Sequence, residues 1–130
     1  MVCLETSFII DFLRGKENAR IFLKKLGESR DIATITAPTI MEIISGAELE
    51  ESKREKKEIL NLLNTLTILP LDESSSILAG EIEAKLAMGG ETIPPIDIMI
   101  AAIAIENNEV LATKNEKHFS RINNLKITTY

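Results

Sequence analysis

The sequence has few of the side chains that stack on nucleic-acid bases, with no Trp, one Tyr and four Phe among 130 residues. A surface that binds single-stranded nucleic acid mainly by base stacking is therefore not expected. Cys3 is the one cysteine, so no disulfide can form within the chain, and we interpret it as an inert core thiol. A reducing compartment fits this composition.

Long apolar runs are also missing. None approaches the ~18 residues of a membrane span. The N-terminal region lacks the basic and apolar segments of a secretory signal, and Glu5 interrupts the first apolar stretch. We expect a soluble, cytoplasmic protein that has no part inserted in a membrane.

Positive charge is not in excess, because Lys and Arg total 15 against 20 Asp and Glu, a net charge of −5. This balance disfavours a protein that grips nucleic acid by bulk electrostatics, but not an enzyme that meets phosphates through metal ions. Apolar residues make up 45% and charged residues 27%, which is ordinary globular composition. The length predicts one domain over residues 1–130.

Short apolar strands alternate with amphipathic helices along the chain. Strands are predicted at 1–4, 32–35, 67–70, 110–113 and 126–130, and helices at 7–15, 17–28, 38–49, 52–66, 73–88, 96–105 and 115–121. Ser7 is the predicted N-cap of the first helix and Gly15 its stop. The helix at 96–105 is apolar nearly all round and should be buried. This alternation predicts a three-layer α/β/α sandwich around a parallel sheet of four to five short strands.

Four polar residues follow predicted strands or begin the helices after them, namely Glu5, Glu42, Asp97 and Asn115. Ligands of such folds bind outside the carboxyl ends of the strands, so these side chains could converge there. Clustered carboxylates repel each other unless cations or protons neutralise them. Oxygen-only ligands suit Mg²⁺ or Mn²⁺.

Each of these residues also has a purely structural interpretation. Thr39 and Glu42 match a capping box, so Glu42 could serve only a helix start. Asp97 could be a helix N-cap or a partner of the helix dipole. Asn115 is a good N-cap for the short helix after it. Glu5 is harder to explain in this way, because acids are poor strand residues.

Basic residues near the same edge could contact phosphates, although a solvated face is the simpler interpretation. They are Arg14, Lys16, Lys114, Lys117 and Arg121. His118 is the one histidine, and without a second His or Cys at metal spacing a zinc site is not expected. We interpret His118 as a surface or packing residue.

Taken together, the ordered segments resemble the PIN-domain nucleases, and more closely the VapC-like toxins of prokaryotic toxin–antitoxin pairs. LETSFIIDFLRG at 4–15 is similar to the first motif of the family, a strand that ends in an acid followed by Thr or Ser. TAPTIMEIISG at 36–46 is similar to the second, and PIDIMIAAIAIENNEVLATKNEKHF at 95–119 to the third and fourth. The resemblance covers essentially the whole chain.

The resemblance implies an endoribonuclease that depends on Mg²⁺ or Mn²⁺ and hydrolyses RNA phosphodiester bonds. It carries the catalytic quartet onto Glu5, Glu42, Asp97 and Asn115, with the three acids as metal ligands. Thr6 and Thr113 would orient carboxylates or water, and Arg14, Lys114 and Lys117 are candidate RNA contacts. A cognate antitoxin and a homodimer are further expectations.

Two departures from the family pattern matter. The first acid is usually Asp, whereas Glu5 is one methylene longer, and Asn115 brings no charge to a position that is Asp in some members. The longer first ligand predicts a loose site, so that Glu5→Asp would preserve or raise activity. The same departures favour the alternative that this is a catalytically weak or inactive domain acting as a binding or regulatory partner.

Overall fold

The computed structural model describes all 130 residues and contains five strands and seven helices. The strands are β1 Val2–Leu4, β2 Ala33–Thr36, β3 Thr67–Leu69, β4 Val110–Ala112 and β5 Lys126–Thr128. The helices are α1 Thr6–Leu13, α2 Glu17–Glu28, α3 Ala37–Leu49, α4 Lys53–Leu63, α5 Glu73–Met88, α6 Pro95–Glu106 and α7 Glu116–Phe119. None of these helices is both long and apolar enough to cross a membrane.

All five strands join one parallel sheet in the order β3-β2-β1-β4-β5. The central strand β1 pairs with β2 on one side, where Val2 is opposite Ala33, and with β4 on the other, where Val2 is opposite Val110. The predicted parallel sheet is confirmed, and every predicted element is present with ends that shift by up to three residues.

The sheet is covered on both faces, because side chains alternate along each short strand. Leu4 and Ala112 face the core that packs beneath α1 to α4, whereas Cys3 and Leu111 face the core beneath α5 to α7. Helix α6 is buried along most of its length, as its all-round apolar sequence predicts. Burial raises the pKa of the Cys3 thiol to about 12, so the thiol is protonated at neutral pH.

Two helix starts differ from the sequence interpretation. Helix α1 begins at Thr6 and its N-cap is Glu5, not Ser7. Helix α3 begins at Ala37 with Thr36 as its N-cap, and the Thr36 side chain accepts from the Thr39 amide. The reason is that Pro38 suits the first turn, where its missing N–H costs nothing. The capping-box interpretation of Thr39 and Glu42 is therefore wrong.

Strand order reverses beside β1. The chain proceeds outward from β1 to β2 and β3, then returns through α5 and α6 to place β4 on the other side of β1. The carboxyl ends of β1 and β4 are therefore neighbours from which the connections leave in opposite directions. Such a switch point opens the crevice in which doubly wound sheets bind ligands.

A buried acid without a hydrogen-bond partner lies at the other end of the strands, where they begin. Glu109 precedes β4, is only 2% exposed, and neither carboxylate oxygen accepts a hydrogen bond. Burial raises its pKa, and the nearby charge of Asp31 adds to this, while the amino group of Met1 acts in the opposite direction. The folded state therefore favours the protonated form of Glu109 over its ionised form more than the unfolded chain does.

Replacing Glu109 by Met should stabilise the fold at pH 7 by about 1–3 kcal/mol, because a buried carboxylate without hydrogen bonds costs that much. Since the folded-state pKa is raised, this cost is felt above that pKa and disappears as the pH falls through it. The gain should shrink when urea unfolding is repeated near pH 4.5, the ordinary value of the group. Glu109→Gln, which removes only the charge, is the control, and a loss of stability in both variants at pH 7 would contradict the argument.

Candidate functional site

Glu5 lies at the switch point, directly after β1, and is only 3% exposed. Its Oε2 atom accepts hydrogen bonds from the Ser7 amide at 2.9 Å, from Thr113 Oγ1 at 2.8 Å and from the Ser7 hydroxyl. Thr113 follows β4, so these bonds join the two neighbouring strand ends. Its other oxygen, Oε1, takes no part in these bonds and is left for a ligand.

The charge of Glu5 is poorly compensated. Burial raises the pKa of its carboxyl group, and the nearby Asp97 adds to the effect, while the hydrogen bonds from Ser7 and Thr113 lower it in part. A positive charge near this carboxylate would favour its ionised form. No positively charged group contributes to the shift of the Glu5 pKa, so the negative charge of this carboxylate has no cationic partner.

Glu42 comes to the same edge from α3. It lies in the second turn of that helix, where Thr6 Oγ1 donates to its Oε1 at 2.6 Å. Thr39 Oγ1 lies 3.2 Å from Thr6 Oγ1 and 3.1 Å from Thr36 Oγ1, so a short series of hydroxyls supports this contact. Because Thr6 follows Glu5 in the chain, the start of α1 holds both acids.

Asp97 and Asn115 both contact His118, which the sequence interpretation placed outside the site. Asp97 is in the first turn of α6, where the N-cap position is Pro94, so the helix-dipole interpretation fits and the N-cap one does not. Asn115 is at the N-cap position of α7 but makes no side-chain cap hydrogen bond. Instead, its Nδ2 and Asp97 Oδ2 each lie 3.0 Å from His118 Nδ1.

His118 is partly exposed, and its ring contacts Asp97 and Asn115, which its interpretation as a surface or packing residue did not include. The sequence contained one signal for this contact, because His118 stands three positions after Asn115 on a short helix and so shares its face. Its contact with Asp97 spans 21 positions. Helical spacing alone does not predict such a contact.

The candidate RNA-contacting residues are not all brought to this edge. Arg14 follows the far end of α1 and lines a hollow of about 280 Å³ together with Glu50, Glu55 and Glu58. Lys114 donates from Nζ to Asp11 Oδ1 at 2.9 Å. Lys117 is exposed on α7.

Asp11 is a second buried acid that sequence reasoning missed. Its carboxylate accepts hydrogen bonds from Lys114 Nζ and, at 2.8 Å, from the Tyr130 hydroxyl, while the Tyr130 ring packs edge-on against Phe8 with ring centroids 4.7 Å apart. Burial raises the pKa of Asp11, but the bonds from Lys114 and Tyr130 and the positive charges of Lys114 and Lys16 outweigh it, so the net shift is downward. This cluster fixes the segment between β4 and α7.

The carboxylates at the switch point fit a hard divalent cation in donor chemistry. Glu5, Glu42 and Asp97 each use one oxygen in hydrogen bonds and leave the other without one. No three His, Cys, Asp or Glu side chains of the chain are close enough to enclose an ion among themselves. Mg²⁺ does not need such an enclosure, because it keeps several waters and is usually bound through one or two carboxylates.

A parallel sheet with this strand order and with acids at its switch point defines the class of the protein. The chain belongs to the PIN domain family, whose family model matches residues 2–125. The resemblance inferred from the motifs is thereby confirmed.

Within the family, the similarity is to proteins named VapC. The chain is 32% identical over 130 residues to Ribonuclease VapC1 of Methanocaldococcus jannaschii, covering 99% of this chain and 86% of the relative. It is 34% identical over 94 residues to the tRNA(fMet)-specific endonuclease VapC of Salmonella typhimurium, covering 72% of this chain and 71% of the relative.

Solved structures show the same relationship. DNA-bound VapBC from Salmonella typhimurium contains a chain that matches with a TM-score of 0.88 and 29% identity, over 99% of this chain and 98% of that one. VapBC2 from Rickettsia felis, bound to a promoter DNA fragment, matches with a TM-score of 0.92 at 23% identity, over 100% of this chain and 99% of that one, and shows the shared fold.

The Asp11 cluster yields a pH-dependent prediction. Asp11→Asn should lower the free energy of unfolding at pH 7 by about 1.5–3 kcal/mol, the range for hydrogen bonds to a charged group. The folded-state pKa of Asp11 lies below its ordinary 3.8, so this stability is present above that pH and is lost as the pH falls through the lowered pKa. Urea unfolding at pH 7 and below pH 3.8 measures the difference between wild type and variant.

Tyr130→Phe is the matched control, since it keeps the ring packing and removes one neutral donor. It should cost about 1 kcal/mol. An Asp11→Asn cost that stays constant at acid pH would show that the ionised carboxylate contributes nothing there.

Proposed function

We propose that this chain is a divalent-cation-dependent endoribonuclease that hydrolyses RNA phosphodiester bonds. The observation that carries the proposal is that Glu5, Glu42 and Asp97, although not close enough to enclose an ion among themselves, each have one carboxylate oxygen that makes no hydrogen bond. RNA is proposed as the substrate because the similar proteins are named as ribonucleases and endonucleases.

In this proposal the three acids hold the cation, directly or through water, and Asn115 donates to a water or to the substrate. When bound, the cation supplies Lewis-acid chemistry and positive charge next to the phosphate. Thr6 orients Glu42, and Thr113 orients Glu5, each through the hydrogen bond from its hydroxyl. Such fixed partners keep an oxygen of each carboxylate aimed at the ligand.

We also propose that a cognate antitoxin binds this chain and that the chain forms a homodimer. The proposed location is the cytoplasm, where RNA substrates are present. The antitoxin is supported by the structural neighbours, which are toxin–antitoxin assemblies. Apolar side chains that remain exposed on α2 and α4, such as Ile21 and Leu60, support contacts with another protein surface.

A weak or inactive binding domain is the second candidate, favoured by the neutral Asn115 and by the lack of a closed ligand group. The structure weakens one of its arguments. Three hydrogen bonds to Glu5 Oε2 argue against a loosely held first acid. This geometry favours a site built around Glu.

Asp97→Asn should weaken Mn²⁺ binding measured by calorimetry and should reduce cleavage of a mixed RNA pool. The loss of Mn²⁺ affinity should exceed the ~10–100-fold loss that follows removal of an outer hydrogen-bond partner. The reason is that the amide keeps the shape of the side chain but removes its charge. Mn²⁺ should raise the melting temperature of the wild type by mass action. Glu116→Gln removes an exposed acid beside the same edge and should leave cation affinity unchanged.

If Asp97→Asn kept full cleavage and lost only stability, the acid would serve the helix dipole and not a cation. Cleavage by wild type that is indifferent to chelation of divalent ions would reject the proposed chemistry.

Glu5 offers a sharper comparison. Glu5→Asp retracts the carboxylate by one methylene from the Thr113 hydroxyl and the Ser7 donors that hold it. In this geometry Glu5→Asp should lower cleavage by about tenfold or more, because small misplacements of reacting groups are costly, and Glu5→Gln should abolish it. Initial rates at several Mn²⁺ and Mg²⁺ concentrations measure this. Equal or higher activity in Glu5→Asp would restore the expectation from the sequence that Glu5 is a handicap.

A further inference from the structure

The His118 ring contacts both Asp97 and Asn115, two residues of the candidate site that come from different parts of the chain. Its Nδ1 lies 3.0 Å from Asp97 Oδ2 and 3.0 Å from Asn115 Nδ2. The histidine side chain is 37% exposed, whereas that of Asp97 is 10% exposed. The next residue, Phe119, is completely buried, so the short helix that presents His118 is anchored in the core.

The three acids differ in what holds them. Glu5 has two hydroxyl donors and an amide, and Glu42 has the Thr6 hydroxyl. Asp97 has only the His118 ring. The structure contains no other hydrogen bond to the Asp97 carboxylate.

A ring nitrogen carries either a proton or a lone pair, so Nδ1 cannot donate to Asp97 and accept from Asn115 at the same time. An ionised carboxylate only accepts, and the contact with Asp97 is therefore favourable only when Nδ1 carries the proton. A half-turn of the Asn115 amide about its last bond, which exchanges two groups of nearly equal size, would let its oxygen share this single proton as a second acceptor.

We propose that His118 is a positioning residue of the nuclease site. It donates from Nδ1 to Asp97 Oδ2, which leaves Oδ1 without a hydrogen bond as the oxygen that would hold the cation, and it lies beside Asn115. This inference rests on the proposed function, because the cation is what Asp97 would hold.

The first test measures Mn²⁺ affinity by calorimetry in two variants. His118→Leu removes the donor but keeps bulk, and should weaken Mn²⁺ binding by about 10–100-fold, as expected for an outer partner of a ligand. His118→Asn retains an amide N–H close to the Nδ1 position and should recover most of the affinity. Ser120→Ala, an exposed change at the end of the same helix, should have no effect.

The second test is a double-mutant cycle with Asp97→Asn. If His118 acts through Asp97, then His118→Leu should have no further effect on Mn²⁺ affinity in the Asp97→Asn background. Additive losses would overturn the positioning role. Unchanged affinity in His118→Leu alone would also overturn it, whereas unchanged affinity in Asp97→Asn would reject the proposed function itself.

The third test reads the tautomer directly. Long-range proton–nitrogen NMR spectra of the wild type at about pH 8, where an ordinary imidazole is neutral, should show the proton on Nδ1. A proton on Nε2 would contradict the inference, because Nδ1 would then oppose the carboxylate with a lone pair.

Discussion

Burial of a carboxylate, Glu5, at the carboxyl ends of the strands is the constraint on which the site depends. Glu5 is nearly buried and has Asp97 as a neighbour, and both effects raise its pKa. Donors are therefore placed where they can compensate, since hydrogen bonds to an ionised group are the strong ones. The arrangement remains short of positive charge, which is the condition that a divalent cation satisfies.

Those donors come from the segments that follow the strands. Ser7 and Thr113 hold Glu5, and Thr6 holds Glu42. Ser7 also accepts from the Lys114 amide at 3.2 Å, and the Lys114 side chain reaches buried Asp11. Lys114 thus connects Ser7, which holds Glu5, to the Asp11 cluster, so a substitution in either group should alter the position of Lys114. A basic residue that appeared available for RNA is therefore engaged in an internal ion pair.

Sequence patterns predicted the architecture well because secondary structure leaves a local, periodic pattern of apolar residues in the sequence. Strand and helix periods and the run of apolar residues at 96–105 depend on neighbours in the chain. Their exact ends did not follow as reliably. Pro38 moved the start of α3 to Ala37, and Glu5 displaced Ser7 as the cap of α1. In both cases more than one nearby residue could cap, and the side chain that accepts the amide hydrogen bond is Glu5 in α1 and Thr36 in α3.

By itself, the sequence determined which residue types lie after each strand, and hence the prediction that Glu5, Glu42, Asp97 and Asn115 converge at the carboxyl ends of the strands. Only the tertiary structure decided what each of them touches. The Thr113 bond to Glu5 spans 108 positions and the Asp11 bond to Tyr130 spans 119, so no local pattern encodes either. His118 shows the same limit, because its role depends on how α7 docks against α6, and docking is set by burial of the whole core.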